Sequence, residues 1–510
     1  MSWKSEVEEL RQRQQMAEGM GGAEKVARQH ARGKLDARAR LAALVDPGSF
    51  REVGKIAGKG RYGPDGELLD LAASNFLFGR ANIEGRPVVA SADDFTVRGG
   101  AADASIHRKF TQCEAMAHSL KIPLIRMIDG TGGGGSVRML EDMGFTYVPA
   151  VPGWDGVIRN LDTVPVVALA LGPTAGLGAA RVVASHYSVM VKGLSQLFAA
   201  GPAVVEAIGE PSDKESLGGS AVHTRNGVVD EEVASEAEAF AAARRFLSYL
   251  PSHVGQLAPR TAPTDPTDRR EGKLLDLVPR DARQVYSMRR LLDMVCDKGS
   301  VFEMGRMWGR AAITAFARLD GWPVAVLASD PSYLGGSWEA RTAEKVERFI
   351  KLADQFRLPV VHLVDNPGFM IGQAAEAAGT IRYGVQAMNA VYRASVPLAC
   401  VVIRRAYGIA GSAMSNAEMF QYRFAWPSGD WGSLPIDGGV EVAYKSEIEA
   451  AEDPAAHLAW TVGEAAPFEV SSIDPVQAVA DYRRHVMDTK GAGLDADGRA
   501  NLAEDLRSPC

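Results

Sequence analysis

A run of glycines directly follows a predicted strand and is the strongest candidate for chemistry in this sequence. The residues are Asp129-Gly-Thr-Gly-Gly-Gly-Gly135. Because glycine has no Cβ, consecutive backbone N–H groups in such a run can turn toward a bound oxyanion, such as a thioester enolate or a phosphate. The run does not end in Gly-Lys-Ser/Thr, so a P-loop is not indicated.

Further glycine clusters follow other predicted strands. They are Gly172-Pro-Thr-Ala-Gly176-Leu-Gly178, Asp365-Asn-Pro-Gly368-Phe-Met-Ile-Gly372 and Arg405-Ala-Tyr-Gly408-Ile-Ala-Gly411. Backbone amides placed after strand ends can converge on one developing negative charge. We therefore predict an enzyme with two related sites that brings two different ligands together.

Side chains that commonly act in catalysis are sparse by comparison. The sequence has no Gly-x-Ser-x-Gly elbow and no His-Glu-x-x-His pair. Asp129 and Asp365 are predicted to hold loop amides, and Lys109 and Lys345 are predicted to be solvated or ion-paired on helices. Structural roles are predicted for the isolated histidines, which are His107, His118, His186, His223 and His362. Amide donors without an evident base favour a cofactor that brings the base.

An internal duplication organises the chain. A shift of 236 residues carries Gly85-Arg-Pro-Val88 onto Gly321-Trp-Pro-Val324, and it carries the segment 121–129 onto 357–365. The shift is 232 for Val164-Pro-Val166 and 251 for Asp46-Pro-Gly-Ser49, as loop insertions in a duplicated domain would produce. We place the longer insertion of the first copy near residues 55–80.

Each copy alternates short apolar strands with amphipathic helices. Helices are predicted over residues 106–120 and 342–356, and strands over 88–91, 124–128 and 166–170. Strand, helix and strand at these lengths predict βαβ units and a mostly parallel sheet. The fold class is α/β with two duplicated domains, residues 1–265 and 266–510, and the first 35 residues form a charged helical arm.

Composition excludes several classes of protein. The chain has 510 residues and a net charge of -7, which gives no electrostatic footprint for nucleic acid. Its four cysteines are scattered, so neither a disulfide scaffold nor a zinc ribbon is indicated. No apolar run is long enough to span a membrane, and no signal peptide is evident, so a cytoplasmic enzyme is predicted.

A series of ordered motifs resembles the carboxyltransferase (β) subunit of biotin-dependent acyl-CoA carboxylases, such as the propionyl-CoA and methylcrotonyl-CoA enzymes. The resemblance runs from about Gly33 to Glu441. Its motifs are Gly33-Lys-Leu-Asp-Ala-Arg-Ala-Arg40 with Asp46-Pro-Gly-Ser-Phe50, Asp94-Phe-Thr-Val-Arg-Gly-Gly100, Gly172-Pro-Thr-Ala-Gly176, Ser216-Leu-Gly-Gly219 with His223-Thr224, Asp365-Asn-Pro-Gly-Phe369, Arg404-Arg-Ala-Tyr-Gly408 and Phe424-Ala-Trp-Pro427.

The resemblance implies two crotonase-like (ClpP/crotonase superfamily) domains. It implies that residues 1–265 bind the acyl-CoA, that residues 266–510 bind carboxybiotin, and that the site forms between subunits of a homo-hexamer, a dimer of trimers. Carboxyl transfer to the α (or vinylogous γ) carbon would pass through an enolate held by backbone oxyanion holes. The biotin would be carried by a separate biotin carboxylase/biotin carboxyl carrier partner, since this chain has no Ala-Met-Lys-Met sequence; no metal is expected in this subunit.

The family's functional residues match particular positions of this chain. The resemblance implies catalytic amides at Gly132, Gly133, Gly408 and Ile409. It also implies substrate contacts from Gly134, Thr174, Ala175, Gly176, Leu177 and Ser412, and biotin contacts from Asp365, Pro367, Gly368, Phe369 and Tyr407. Gly130 is an apparent insertion, Ile409 replaces a glycine, and Ser412 replaces an aspartate linked to acyl-chain choice. These departures leave the acyl group open.

Three alternatives remain at this level. The same catalytic half could serve a biotin-dependent malonyl-type-CoA decarboxylase or transcarboxylase. A biotin-independent crotonase-type hydrolase or decarboxylase would need a side-chain base near Gly132 or Gly176. A non-catalytic CoA-binding assembly subunit would tolerate a bulky residue at Gly133.

Overall fold

The computed structural model divides the chain into two compact units, Met1–Leu257 and Ala258–Cys510. The predicted boundary lay between residues 265 and 266. The residues that the structure describes are 2–101, 106–130, 141, 144, 151, 153–266, 268–281, 283–412, 422–433, 436–451, 453 and 455. None of the helices among these residues has the length and apolarity needed to cross a membrane.

The first unit contains both helices and strands. The helices are α1 (Lys4–Glu18), α2 (Ala23–His30), α3 (Ala37–Leu44), α4 (His107–Leu120), α5 (Trp154–Leu161), α6 (Leu177–Val183), α7 (Pro202–Ala207), α8 (Lys214–Gly218), α9 (Ser220–His223) and α10 (Glu236–Ser248). The strands are β1 (Arg51–Glu52), β2 (Gly58–Tyr62), β3 (Leu68–Ala73), β4 (Phe76–Ile83), β5 (Arg86–Asp93), β6 (Leu124–Ile128), β7 (Val166–Ala170), β8 (Pro173–Ala175), β9 (Tyr187–Val191), β10 (Gln196–Phe198) and β11 (Glu231–Val233).

The main sheet of this unit has the order β1-β4-β5-β6-β7-β9-β11. Strands β4 and β5 form an antiparallel hairpin, and from β5 onward the neighbouring strands are parallel. All residues of β6, β7 and β9 are buried, as expected for parallel strands covered on both faces. A parallel sheet places the ends of β6 and β7, where the glycine clusters begin, at the same edge.

The second unit has the following elements. The helices are α11 (Met288–Val295), α12 (Ala340–Gln355), α13 (Gln373–Ala377), α14 (Thr380–Arg393), α15 (Gly408–Ser412), α16 (Ile436–Ala443) and α17 (Lys445–Ala450). The strands are β12 (Phe302–Met304), β13 (Ala312–Leu319), β14 (Trp322–Ser329), β15 (Val360–Asn366), β16 (Leu398–Tyr407), β17 (Tyr422–Ala425) and β18 (Asp430–Gly432).

The sheet of the second unit repeats the plan of the first. Its order is β12-β13-β14-β15-β16-β17, with β18 also paired to β16. An antiparallel hairpin, β13–β14, again precedes parallel pairs, β14–β15 and β15–β16. The expected α/β fold with two duplicated domains is therefore confirmed, and the helices predicted over 106–120 and 342–356 are α4 and α12.

The duplication extends to single hydrogen bonds. The Asp46 carboxylate accepts from the amides of Glu84 and Gly85 in the β4–β5 turn, at 2.8 Å each. The Asp297 carboxylate accepts from the amides of Asp320 and Gly321 in the β13–β14 turn, at 2.9 and 2.7 Å. Each aspartate thus fixes the hairpin that begins its unit's sheet.

The predicted insertion of the first copy is also present. The hairpin β2–β3 lies between β1 and β4 in the sequence. Helix α1 packs against it, with Met16 and Ala17 of the helix beside Leu71 of β3. In the second unit only residues 305–311 separate β12 from β13.

Candidate active site

A glycine with the same unusual backbone conformation begins a short helix in each unit. Gly176 has a φ of 58° at the start of α6, and Gly408 has a φ of 59° at the start of α15. The two positions are 232 residues apart, which is one of the registers of the duplication. A positive φ is costly for residues with a Cβ, so glycine allows the chain to turn sharply from strand into helix.

The turn from strand into helix at Gly176 is the first joint, and the turn at Gly408 is the second joint. Both joints present backbone donors. The first N–H groups of a helix have no acceptor within it, so the amides of Leu177 and Ile409 are available to an oxygen placed at each joint. The amide of Gly176 itself donates to the carbonyl of Phe198 at 3.0 Å. Donors at the first joint therefore come from the residues after Gly176.

The segment before Gly176 forms the wall of the first joint. Thr174 is buried, and its hydroxyl donates to the carbonyl of Gly172 at 3.1 Å, while Ala175 is half-buried. A Cβ added to Gly178 would approach the methyl group of Thr174 to 2.7 Å. Thr174 thus supports the turn through packing, and its hydroxyl is already engaged.

A buried ionic cluster holds the end of β6. Asp129 is fully buried and accepts from Lys34 Nζ and Arg40 Nη1, both at 2.7 Å. Arg40 also pairs with Glu236 of α10. A Cβ on Gly172 would lie 1.9 Å from Asp129 Oδ1, so glycine is required there. Asp129 was predicted to hold loop amides; the loop at residues 131–140 lies outside the described residues, and within them the Asp129 carboxylate binds two cations.

The burial of this cluster has an electrostatic consequence. Burial lowers the pKa of Lys34 from its ordinary value, and the nearby Asp129 carboxylate opposes that effect. Removing one partner of a buried ion pair leaves the other as an uncompensated buried charge, which destabilises the fold. The cluster therefore anchors the start of the glycine run rather than supplying a catalytic acid or base. The predicted amides of Gly132, Gly133 and Gly134 lie outside the described residues.

A second ion pair, not predicted from the sequence, connects the two loops of the first unit. Arg181 of α6 donates to both oxygens of Asp93 at 3.3 Å, and Asp93 Oδ2 accepts from the amide of Asp129 at 3.4 Å. The guanidinium also lies over the rings of Phe76 and Phe110. Burial raises the pKa of Asp93. The pair ties the helix after Gly176 to the residue that begins the glycine run.

In the second unit, a buried aspartate near the end of β15 is held by cations in the same manner. Asp365 is fully buried and accepts from Arg404 Nε at 3.1 Å and from Arg405 Nε at 2.7 Å. It also accepts from one backbone amide, that of Arg405, at 3.3 Å. The amide of Asp365 donates to the hydroxyl of Ser329 at 3.1 Å, in the place that Asp93 takes in the first unit.

The loop after Asp365 is fixed against the second joint. Asn366 Nδ2 donates to the carbonyl of Ala410 at 3.1 Å, and Asn366 Oδ1 accepts from the amide of Gly368 at 2.7 Å. The structure therefore brings the predicted residues Pro367 and Gly368 close to the helix that begins at Gly408.

Aromatic packing positions Phe369 on the same loop. The amide of Trp338 donates to the carbonyl of Gly368 at 3.1 Å, and the two rings of Trp338 and Phe369 meet edge to face at 6.4 Å. A Cβ on Gly384 of α14 would come within 2.3 Å of the Phe369 ring. Phe369 is thus a half-buried wall held by its neighbours.

The residues flanking Gly408 differ in exposure. The Tyr407 side chain is buried, and its hydroxyl donates to Asp430 of β18. Ile409 is 50% exposed, so an apolar side chain stands at the joint beside its own amide. Ser412 ends α15, and its side chain lies outside the described residues.

Two of the isolated histidines and one cysteine have structural surroundings. His186 accepts from the amide of Val166 at 3.0 Å through Nδ1 and donates to Leu161 through Nε2. Burial lowers the pKa of His362 to about 3 and raises the pKa of the Cys400 thiol to about 11. Among the described residues, no group of His, Cys, Asp and Glu could hold a metal ion.

Lys109 and Lys345 were predicted to be solvated or ion-paired, and the structure shows that neither is solvated. Both side chains are buried, and Lys345 Nζ donates to the carbonyl of Ala312 at 2.7 Å. Burial lowers the pKa of Lys109 to about 8, with Glu52 opposing the effect. Their helical positions were predicted correctly, but both side chains lie on buried faces of α4 and α12.

Comparison with known proteins gives consistent matches over most of the chain. Residues 28–488 match the family described as the carboxyl transferase domain. The carboxyltransferase subunit of propionyl-CoA carboxylase from Haloferax mediterranei is 31% identical over 461 residues, 89% of this chain and 88% of that protein. The alpha subunit of methylmalonyl-CoA decarboxylase from Veillonella parvula is 30% identical over 99% of this chain and 97% of its own length.

A solved structure shares the fold over the full length. The transcarboxylase 12S hexamer, with methylmalonyl-coenzyme A and methylmalonic acid bound, has a TM-score of 0.84 and 29% sequence identity. The match covers 100% of this chain and 97% of that one.

Proposed function

The chain belongs to the carboxyl transferase domain family and is an acyl-CoA carboxyltransferase, and from that premise we propose that it moves a carboxyl group between biotin on a partner protein and the α-carbon of an acyl-CoA. The observation that carries the proposal is the pair of joints at Gly176 and Gly408, one in each unit. Each places helix-start amides where an oxygen that gains charge during the reaction can be bound.

In the first unit, the amide of Leu177 would bind the thioester oxygen as it becomes an enolate. Gly132, Gly133 and Gly134 would supply further donors, and Thr174, Ala175 and Gly176 would line the acyl-CoA. The ionic cluster at Asp129 and the Asp93–Arg181 pair keep both loops in place before the substrate arrives. Preorganised donors of this kind stabilise developing charge without reorganisation at the moment of reaction.

In the second unit, the residues at Gly408 fit the ring system of biotin. The urea oxygen of biotin needs amide donors, and its bicyclic body needs apolar walls. Among the described residues, the atom nearest to a Cβ added to Gly408 would be the carbonyl oxygen of Ser433, at 3.9 Å. Ile409 and Phe369 supply the apolar walls, and Pro367, Gly368, Tyr407 and Asp365 shape the loop around them. When bound, biotin supplies the carboxyl group and the atom that accepts the α-proton.

The partner would be a biotin carboxylase/biotin carboxyl carrier protein, and the chain would assemble as a hexamer. Support for the hexamer comes from the transcarboxylase 12S structure, which shares the fold over the whole chain. The Ser412 position and Ile409 would influence the choice of acyl group, because both lie on α15.

A second candidate is the reverse transfer, from a malonyl-type CoA to biotin. It is favoured by the similarity to the methylmalonyl-CoA decarboxylase alpha subunit of Veillonella parvula and to the 12S subunit of methylmalonyl-CoA carboxyltransferase of Propionibacterium freudenreichii. Both directions use the same two joints.

The test is loss of the carboxyl group from malonyl-, methylmalonyl- and longer branched malonyl-type CoAs by the purified chain, with and without biocytin. We expect loss of at least one of them that depends on biocytin. The same loss without biocytin would instead indicate a biotin-independent decarboxylase. The variant Gly176→Val should abolish turnover, whereas Gly193→Val, at a positive-φ glycine of an exposed turn after β9, should not. Equal activity of both variants would contradict a role for the joint.

A further inference from the structure

A fully buried ion pair in the first unit contacts α6, the helix that begins at the first joint. Its members are Arg126 of β6 and Glu114 of α4, which are 0% and 1% exposed. The guanidinium donates from Nε and Nη2 to the two carboxylate oxygens, at 3.0 and 2.9 Å. Asn160 of α5 donates to the same carboxylate at 2.7 Å and to the carbonyl of Glu114 at 3.0 Å. The guanidinium is therefore fixed in orientation, and Nη1 is the nitrogen that remains for other acceptors.

That nitrogen binds the carboxyl end of α6. Arg126 Nη1 donates to the carbonyl of Ala184 at 2.7 Å, and the carbonyl of Arg181 lies at 3.4 Å. Carbonyl groups in the last turn of a helix have no donor within the helix, and a cation placed there also interacts favourably with the helix dipole. The hydroxyl of Ser185 donates to the carbonyl of Val182 at 2.7 Å. Arg126 thus holds the end of the helix opposite to the first joint.

Helix α6 is connected to the end of β6 at a second point. Arg181 of α6 binds the Asp93 carboxylate, which accepts from the amide of Asp129. Arg126 lies only three residues before Asp129 in the chain. A helix of seven residues is marginal by itself, so its orientation depends on tertiary contacts such as these two.

The second unit shows that this fold does not need an ion pair at the equivalent place. The shift of 236 residues carries Glu114 onto Ile350 and Arg126 onto His362. Both residues are buried, in α12 and β15, and burial lowers the pKa of His362 to about 3, so its ring is neutral. Taking two charges out of water costs free energy, and apolar residues at such a place often stabilise a protein equally well. An ion pair in one of the two copies therefore indicates a role that is specific to the first unit.

We propose that Glu114 and Arg126 are positioning residues for the first joint. They fix α6 against β6, so that the amide of Leu177 stays aligned with the thioester oxygen. The inference rests on the proposed function, which assigns that amide to the enolate. Loss of the pair would leave the fold of the unit intact but would allow α6 to shift. A displacement of about 1 Å in a catalytic group can lower a rate about 100-fold.

The first experiment places the second unit's residues at the equivalent positions of the first. The variant E114I/R126H is assayed for biocytin-dependent loss of the carboxyl group from a malonyl-type CoA. We expect kcat to fall about 10- to 100-fold while KM changes less than about twofold, because the substrate contacts remain and the donor to the developing charge moves. An unchanged kcat would overturn the proposal. A variant that does not fold would show that the first unit needs the pair for its structure, which would overturn it as well.

A conservative variant tests whether the restraint itself is what matters. Arg126→Lys keeps a cation that can donate both to Glu114 and to the carbonyl of Ala184. We expect it to retain most of the wild-type kcat. A kcat as low as that of E114I/R126H would contradict the proposal, since the cation and its link to α6 would then be present without effect.

The matched control is Arg86, which binds the end of a helix that does not begin at a joint. Its Nη1 donates to the carbonyls of Leu247 and Leu250 at the end of α10, at 2.7 and 2.9 Å. Arg86→His should leave kcat unchanged. An equal loss of kcat in Arg86→His and E114I/R126H would mean that removing any such arginine impairs the enzyme, and the proposal would be wrong.

Hydrogen exchange separates this inference from the proposed function, because it requires no turnover. Within α6, the amides of Ala180 and Ala184 donate to the carbonyls of Gly176 and Ala180, at 3.0 and 2.8 Å. We expect their exchange to accelerate about tenfold in E114I/R126H, because the helix opens locally more often, and to stay unchanged in Arg86→His. Unchanged exchange in E114I/R126H would overturn the proposal. If the wild type transfers no carboxyl group, the proposed function fails, and the exchange rates still decide whether the pair holds α6.

Discussion

Arg181 donates hydrogen bonds to both carboxylate oxygens of Asp93, and through them it connects helix α6 with the amide of Asp129. The pair spans 88 residues of sequence. At the equivalent position of the second unit, the hydroxyl of Ser329 accepts from the amide of Asp365. The backbone amide at the strand end is therefore bound by an ion-paired carboxylate in the first unit and by a hydroxyl in the second.

Removing Arg181 alone should destabilise the protein. We expect Arg181→Met to lower the free energy of unfolding by about 3 kcal/mol, because a buried carboxylate loses its partner. The double variant D93S/R181M should recover much of that loss, since serine can accept from Asp129 as Ser329 does from Asp365. Chemical denaturation of the three proteins measures this, and a double variant no more stable than Arg181→Met would contradict it.

The pH dependence of Arg181→Met provides a second readout of the same pair. Burial raises the pKa of Asp93 in the folded state above its ordinary value. The folded state then binds more protons than the unfolded state, so stability falls as the pH rises through this range. Without Arg181 the effect should be larger. We expect the gap in melting temperature between Arg181→Met and wild type to widen as the pH is raised from about 4 to 7. The gap between D93S/R181M and wild type should instead narrow over this range, because only the wild type keeps the buried carboxyl group.

Substitutions at the two joints should affect the binding of different ligands. Alanine at Gly176 or Gly408 must adopt a φ near 60°, which shifts the amides that follow. We expect each variant to lower the rate of carboxyl transfer by about 10²–10³-fold, the cost of losing one oxyanion donor. Gly408→Ala should leave the Kd for coenzyme A without an acyl group unchanged in calorimetry, because its joint lies in the second unit. A weakened Kd for coenzyme A in Gly408→Ala would contradict the assignment of ligands to units.

The parts of this fold that are visible in the sequence are those set by local pattern. The apolar runs at 124–128 and 166–170 became β6 and β7 with the same bounds, because buried parallel strands need continuous apolar residues. The glycines of the two joints, Gly176 and Gly408, were also visible in the sequence. Each lies in a glycine cluster that follows a predicted strand, and glycine is the residue that adopts a positive φ at low cost.

The parts that the sequence does not reveal depend on distant partners. Asp129 pairs with Lys34 and Arg40, 95 and 89 residues away, and Arg40 pairs with Glu236, 196 residues away. No local spacing identifies such a cluster. The burial of Lys109 was missed for the same reason, because the helical pattern of α4 predicts its position along the helix but not the distant residues that bury it.

Lys109 gives a prediction with a defined pH window. Its pKa of about 8 lies below the ordinary value of 10.5. Between these values the unfolded chain binds more protons than the folded one, so the free energy of unfolding should rise with pH from about 8 to 10.5, by at most about 3 kcal/mol. Lys109→Met removes the buried charge. We expect it to raise the melting temperature at pH 7 and to lose this advantage by pH 10.

The control for Lys109 is Lys4→Met, at an exposed lysine of α1. It should follow the wild type at every pH. A melting temperature that is lowered by the same amount at pH 7 and pH 10 in Lys109→Met would show that the ammonium group stabilises the fold, contrary to the expectation.

The matched turns at Asp46 and Asp297 allow one hydrogen-bonding arrangement to be tested in two environments. Each carboxylate accepts from two turn amides, but Asp297 is 2% exposed whereas the turn bonded by Asp46 is open to water. Water can replace the lost acceptor only at the open turn, and an unsatisfied buried donor costs about 1–3 kcal/mol. We therefore expect Asp297→Ala to destabilise the protein more than Asp46→Ala does. Hydrogen exchange of the Asp320 and Gly321 amides should accelerate strongly in Asp297→Ala, while exchange at Glu84 and Gly85 in Asp46→Ala should change less. Equal acceleration at the two turns would mean that burial does not determine the strength of this arrangement.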